Sequence, residues 1–320
     1  MRASRIRSIV QDSSFPSFLM LVLLIIVNAI LQPGFFSYQV FRINFMTFTP
    51  LILVSLAQAT VILVGAVDLS LGAGISLVTV VMASLMGATT ASIVLISVLG
   101  VGVAILLSLF NGFFVATIGP PPLIMTFATS TIWFGIALLI MPTPGGHIPE
   151  SYYGLYGKSI GGFLPVPVVV LLLALLLCLL LGRLRAFRHL YAVGGHERAA
   201  RASGIRVVRT KIFAYLVSGI FVAMAALCVV GNTGTGDARS GQGFTLNSVA
   251  AAIIGGIAFS GGKGNYLGAA IGGIILGLLI NIIYFAQITS FYQEFMKGVI
   301  IIVALLVGAV PRLRREISQR

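Results

Sequence analysis

Apolar residues run along this chain in long blocks, broken by short polar or Gly/Pro-containing stretches, and not in the two-residue alternation of a half-buried strand. A membrane span needs about 20 such residues, somewhat fewer where the helix is broken. Ten blocks qualify: 15–32, 46–66, 70–87, 92–117, 123–141, 165–182, 211–231, 248–262, 265–286 and 294–310. In lipid every backbone polar group has to be satisfied internally, which only helices and closed barrels achieve, and a barrel would show alternation. The pattern therefore predicts an all-α polytopic membrane protein of about ten transmembrane helices, some of them broken. It forms a single transmembrane domain. Five spans (1–164) precede a polar loop at 183–211, and the second half (165–320) opens with the sixth span and that loop. Because five is odd, equivalent halves would be inverted relative to each other.

Composition agrees. Of 320 residues, 58% are apolar and only 8% are charged, against roughly 25% in a soluble domain; the mean hydropathy is +1.10. A soluble enzyme, a disordered tail and a secreted disulfide scaffold are all excluded. The two cysteines, Cys178 and Cys228, lie inside apolar blocks and read as neither disulfide nor metal ligands. The net charge of +13 suggests nucleic acid until the charges are placed. With both termini on one side, sixteen basic residues fall on that side: Arg2, Arg5, Arg7, Arg183, Arg185, Arg188, Arg198, Arg201, Arg206, Arg209, Lys211, Lys263, Arg312, Arg314, Arg315 and Arg320. Only Arg42, Lys158, Arg239 and Lys297 fall on the other. This asymmetry makes the first side cytoplasmic and the basic residues membrane-flanking, with no nucleic-acid face. The arginines before the first block imitate a secretory leader. No small-residue cleavage site follows, however, so the block reads as a retained helix.

Between Arg42 and Glu150 the one charged residue is Asp68, in Gly65-Ala66-Val67-Asp68-Leu69-Ser70-Leu71-Gly72. A membrane-embedded carboxylate is costly. It either caps the third helix or marks a break at a gate beside a translocation path. A second glycine-rich stretch, Ala251 to Gly264, imitates a phosphate loop. It fails the Walker pattern, because Ile257 stands where the first glycine belongs and Gly264 follows Lys263. Gly264, Gly268 and Gly272 recur at i, i+4, and Gly273 pairs with Gly277, a spacing that lets helix backbones approach closely.

In the loop, Gly194-Gly195 enters a helix whose first turn holds Glu197 and whose stop is Gly204. Two turns are too short to be stable alone in water, so this helix has to dock, either on anionic headgroups or in the groove of a cytoplasmic partner. Ala199 and Ala200 suit a groove, and Glu197 and Arg201 are placed to pair at i, i+4. No nucleophile–base pair, metal cluster or carboxylate dyad occurs within the spans, and His147 and His189, which flank membrane ends, read as ordinary loop residues. The energy for transport then comes from outside this chain, or transport is passive.

Four segments, in order, resemble the permease subunits of bacterial ATP-binding-cassette importers for ribose-, galactose- and xylose-type sugars, in the branched-chain amino acid/simple sugar permease superfamily. They are Val64 to Gly72; Asn111-Gly112 followed by Pro121-Pro122-Leu123-Ile124-Met125-Thr126; Tyr191 to Ile205; and Ala251 to Gly264. The Glu-Leu-Asp frequent in the family is Thr245-Leu246-Asn247 here, which removes two carboxylates from the outer mouth or its edge, and its helix-opening Asn is His196. The resemblance implies a paired permease, homodimeric or with a paralogue, in the bacterial plasma (inner) membrane. ATPase subunits would carry ATP and Mg, with none bound by this chain, and would grip a coupling helix of Gly195, His196, Glu197, Arg198, Ala199, Ala200, Arg201, Ser203 and Gly204. A periplasmic or lipid-anchored binding protein would deliver a monosaccharide or a related polyol or glycoside. Asp68, Ser70, Asn111, Thr126 and Asn247 become candidates for the path or gate, and Gly255, Gly256, Gly261, Gly262, Gly264, Gly268 and Gly272 for helix packing. An energy-independent facilitator for a small polar solute is the alternative. The lone Trp133 reads as lipid-facing or packing, and no aromatic sugar platform is recognisable.

Overall fold

The computed structural model describes residues 15–287 and, beyond them, 289, 292, 295, 296, 298, 299 and 302. The tenth predicted span, 294–310, falls largely outside the described residues. Within them the chain forms α1 (Phe15–Leu31), α2 (Tyr38–Leu63), α3 (Leu71–Leu85), α4 (Thr90–Thr117), α5 (Pro122–Ile140) and α6 (Glu150–Tyr156). A short antiparallel hairpin of β1 (Ser159–Ile160) and β2 (Leu164–Pro165) follows. Then come α7 (Val166–Arg183), α8 (Arg185–Gly195), α9 (Glu197–Ala202), α10 (Val207–Thr233), α11 (Gln242–Ile254) and α12 (Tyr266–Phe285). Six helices are long and apolar enough to cross a membrane: α2, α4, α5, α7, α10 and α12. Three shorter apolar ones, α1, α3 and α11, join them among the described residues.

Helix α2 is the central pillar, with every residue from Phe48 to Leu63 buried. α10 and α12 flank it, while Leu95, Val98 and Leu106 of α4 and Leu172, Leu173 and Leu179 of α7 point outward as a lipid-facing surface must. Polar side chains in or beside the apolar blocks bond neighbouring helices. Ser55 Oγ donates to Ala269 O (2.6 Å), Asn28 Nδ2 donates to Leu278 O (3.2 Å), and Asn281 Nδ2 donates to Asn44 Oδ1 (3.0 Å). Pro50 lies inside α2. It has no N–H to give to the carbonyl four residues back, and the Tyr156 hydroxyl donates to that carbonyl, Met46 O, at 3.0 Å.

Of the glycines assigned to helix packing, Gly255, Gly268 and Gly272 press α11 on α12, a Cβ at each overlapping a backbone carbonyl oxygen of the facing helix. Gly256, Gly261, Gly262 and Gly264 lie instead in the turn before α12, all at positive φ.

Two spans are broken, and in matching ways. After α2 the chain turns at Gly65 and climbs back in extended form, so that Asp68 stands beside Gln58, about 8 Å up the α2 axis from Leu63. α3 then starts inside the bundle and needs only 15 residues. Likewise the chain leaves α10 at Gly234 and descends without helix along α3. Gly236 N and O pair with Gly145, the Thr79 hydroxyl lies 3.2 Å from that of Ser240, and Gly241 N donates to Ser76 Oγ (2.9 Å). α11 therefore also begins inside. Its range, Gln242–Ile254, corrects the predicted 248–262. Gln242, Thr245 and Asn247 lowered the hydropathy of the true helix, while the glycine-rich turn after it reads as apolar.

Candidate functional site

Four of the five candidate path residues meet at the first break. Asp68 is completely buried; its Oδ1 accepts from Ser70 N (2.8 Å) and Ser70 Oγ (2.6 Å). Asn111 of α4 donates through Nδ2 to Ser70 Oγ (2.7 Å). Thr126 of α5 accepts from Leu69 N (3.0 Å) and donates to Val67 O (3.2 Å). The Gln58 amide, turned so that both its atoms are satisfied, donates to Asp68 O (3.0 Å) and accepts from Asp68 N (3.3 Å). The carboxylate is not a cap on the first turn of α3. It bonds the residue two further on, an Asx turn that fixes Ser70 at the N-cap position. Asn247 is not part of this knot; it stands half-buried on α11.

The N-termini of α3 and α11 meet at Gly72 and Gly241, where a Cβ on either would overlap the other's backbone carbonyl. Gly72 is eleven residues from Ala83, whose carbonyl accepts from His147 N at the hairpin end. The meeting point therefore lies about 16 Å along α3 from that end, a length comparable to half of a hydrocarbon core about 30 Å thick. Neither helix has a side-chain cap, so first-turn N–H groups and the positive ends of both dipoles converge there. Beside them is a cavity of about 240 Å³ lined by Ala73 of α3, Ser130, Thr131 and Phe134 of α5, and Gln242 and Thr245 of α11. One turn towards the other end, Phe127 and Leu246 project outward, 63% and 70% exposed. None of these lining residues is among the sequence-derived path candidates, and Thr245 enters there only as a departure from the family motif. The physical signal lay in polar side chains at i, i+3 on α11 and at consecutive positions on α5.

At the opposite end, turns of three elements interlock. Gly262 N donates to Leu63 O (3.1 Å), the Tyr191 hydroxyl donates to Gly264 O (3.1 Å), and Gly194 abuts Leu63 with no room for a Cβ. α9 projects from this base. Its N-cap is His196, whose Nδ1 accepts from Ala199 N (3.3 Å), the role an Asn oxygen would play. Gly204, at φ +80, closes the helix, with Ile205 N donating to Ala200 O (3.1 Å). Glu197 pairs with Arg201 (3.3 Å) and also with Lys211 of α10 (2.9 Å), a partner the spacing did not suggest. The Lys211 ammonium holds the Glu197 carboxylate below its usual range, against an opposing push from partial burial and with help from Arg201. The structure divides the two alanines expected to enter a partner's groove. Ala200 packs into the body of the chain, 5% exposed, whereas Ala199 faces outward with Arg198, Arg201 and Ala202.

The remaining candidates are placed plainly. Cys178 and Cys228 are buried free thiols. Trp133 packs edge-on to Phe110, with centroids 5.5 Å apart. His189 belongs to α8 rather than to a loop. Among the described residues no group of three His, Cys, Asp or Glu is placed to hold a metal.

The sequence profile of the family described as the branched-chain amino acid transport system permease component matches residues 42–305. The chain is 32% identical to the ribose import permease protein RbsC of Bacillus subtilis over 90% of each protein. It is 32% identical to the D-allose transport system permease protein AlsC of Escherichia coli over 91% of this chain and 90% of that one. It is 26% identical to the autoinducer 2 import system permease protein LsrC of an Enterobacter strain over 98% and 91%. No solved structure matches.

Proposed function

Because this chain belongs to the family of branched-chain amino acid transport system permease components, we propose that it is the membrane-spanning subunit of an ATP-binding-cassette importer for a simple sugar, a monosaccharide or a related polyol or glycoside. The observation that carries the reading is the pair of broken spans whose uncapped N-termini meet at mid-depth beside an uncharged, hydroxyl- and amide-lined cavity. Polar side chains at that depth are costly against lipid and useful beside a hydrated path. Half-helix termini at the membrane centre are a means of presenting backbone donors to a polar solute. The cavity, smaller than the roughly 300–1,000 Å³ of ordinary ligand pockets, suits one small polyhydroxylated ring.

In this reading the α8–α9 end faces the cytoplasm, as do both termini, in line with the sixteen-to-four division of basic residues. A partner ATPase, which carries the ATP and Mg, grips the outward face of α9. A periplasmic or lipid-anchored binding protein delivers sugar at the hairpin end, and a second permease chain, identical or paralogous, completes the path. The chain itself binds no cofactor and is not an enzyme. The two broken spans are the third and the eighth of the sequence-derived count, equivalent positions of two inverted five-helix halves; this correspondence supports that internal repeat.

The test is reconstitution with the ATPase and binding protein in liposomes and measurement of radiolabelled ribose and allose uptake. Accumulation above the external concentration that requires ATP is expected. Equilibration of sugar without ATP would replace the importer by a facilitator.

A further inference from the structure

A second cavity, of about 500 Å³, lies at the α8–α9 end between α8 and the first two turns of α10. One face of α10 lines it with Arg206, Arg209, Thr210 and Phe213, the i, i+3, i+4, i+7 register of a single helix stripe; α8 adds Ala186 and His189 at i, i+3. Among the described residues both ion pairs start from Glu197 and run to Arg201 and Lys211, so neither Arg206 nor Arg209 has a carboxylate. Arg206 is also the N-cap position of a 27-residue helix without a side-chain cap, which adds the positive end of a dipole at the same place. Two unpaired guanidinium groups beside a helix N-terminus call for an anion.

The position identifies its class. Phe213 is seven residues, about 10 Å, deeper along α10 than Arg206. The cavity is thus cationic at its mouth and apolar two turns further in. α7 and α10 are both long and apolar enough to cross a membrane, and the cavity lies between the residue that ends α7, Arg183, and the one that opens α10, Val207, in chain order. The change from charge to hydrocarbon is the one that a lipid makes between its headgroup and its acyl chains. A soluble phosphate would leave the apolar depth unused. We propose that this cavity binds the phosphodiester headgroup of an anionic phospholipid, with Arg206 and Arg209 on the phosphate and the upper acyl carbons over Ala186 and Phe213. The site requires that the chain span a membrane, not that it carry sugar. It ties the base of α9 to one leaflet.

The test uses the full chain in nanodiscs of phosphatidylcholine with and without phosphatidylglycerol, and reads retained lipid by native mass spectrometry. A basic side chain near an anionic surface is worth roughly fivefold in affinity, so R206Q/R209Q should lose roughly 25-fold in phosphatidylglycerol retention. R185Q/R188Q, with the same loss of charge outside the cavity, should keep it. Equal losses in both variants, or none in the first, overturn the site. Displacement of the lipid by glycerol 3-phosphate would make the ligand a soluble phosphate and overturn the lipid. Unchanged lipid retention with lost capture of the partner ATPase would make the cavity a protein contact instead. Should the double variant fail to fold, R209Q alone, expected to lose roughly fivefold, and the charge-keeping R206K/R209K, expected to retain most lipid, carry the same comparison.

Discussion

Gly72 and Gly241 stand so close that neither has room for a Cβ: one on Gly72 would overlap the Gly241 carbonyl oxygen, and one on Gly241 would overlap that of Gly72. The two short helices that begin at these residues can therefore bring their termini together only because both residues lack side chains. Gly72→Ala and Gly241→Ala should each destabilise the purified chain by about 1–3 kcal/mol, the usual cost of overpacking, seen as a lowered thermal midpoint in detergent. Gly243→Ala, where a Cβ would meet nothing within 4 Å, should leave the midpoint unchanged.

The lining of the mid-depth cavity should set substrate affinity. Thr245→Val keeps the shape and removes one hydroxyl; Gln242→Leu removes the amide. Each should raise the KM for sugar uptake roughly 5–10-fold, the worth of one hydrogen bond, while ATPase capture stays normal. An unchanged KM in both would remove this cavity from the path.

Asp68 holds Ser70 through a single oxygen, and an Asn Oδ1 accepts the same two bonds. Asp68→Asn should therefore fold and transport near the wild-type rate. Asp68→Ala should lower stability by about 1–3 kcal/mol through the donors it strands. Loss of uptake in a well-folded Asp68→Asn variant would give the charge a gating role.

For α9 the two alanines should behave differently. Ala199→Trp enlarges the outward face, so the chain should fold normally and lose most copurifying ATPase. Ala200→Trp enlarges a buried position and should disturb the seating of α9 on its own chain, read as faster hydrogen exchange from Ala199 to Ile205.

Acid should loosen the same helix. Lys211 lowers the Glu197 pKa in the folded chain, so the contribution of the pair is fully present above the unfolded value of about 4.3. It is lost as pH falls through the lower folded value. The Glu197 side chain is 43% exposed, and solvent screening keeps the pair near 0.5 kcal/mol. Hydrogen exchange in α9 should speed up slightly below about pH 4.3 in the wild type, and Glu197→Gln should abolish that dependence.

Much of this architecture was legible in the sequence. The singular place of Asp68, as a cap or a break, the two-turn helix from Glu197 to its stop at Gly204, and most span centres follow from composition and turn chemistry alone. What escaped it depends on distant segments meeting. Lys211 reaches Glu197 only because α10 starts beneath α9, and Ala200 turns inward although its neighbour Ala199 does not. Gln242 and Thr245 fall outside the predicted span because their polarity lowers its hydropathy, and polarity alone cannot distinguish a loop from the polar wall of a cavity. Gly256, Gly261, Gly262 and Gly264 imitate a packing stripe, yet their positive φ angles make a turn.

Proline within a long helix commonly serves as a joint. Pro50 does not have that freedom, because the carbonyl it orphans is held by Tyr156. The Tyr156 ring also packs against Gly231 of α10, while the hydroxyl of Tyr152, one turn earlier on α6, donates to Leu227 O at 3.1 Å. α6 is thus a latch across α2 and α10. Bending α2 at its proline requires that latch to be lifted at a cost of about 1 kcal/mol. With the latch closed, α6 ties α2 to α10, and a displacement of α6 is passed to both through Tyr156 and Tyr152.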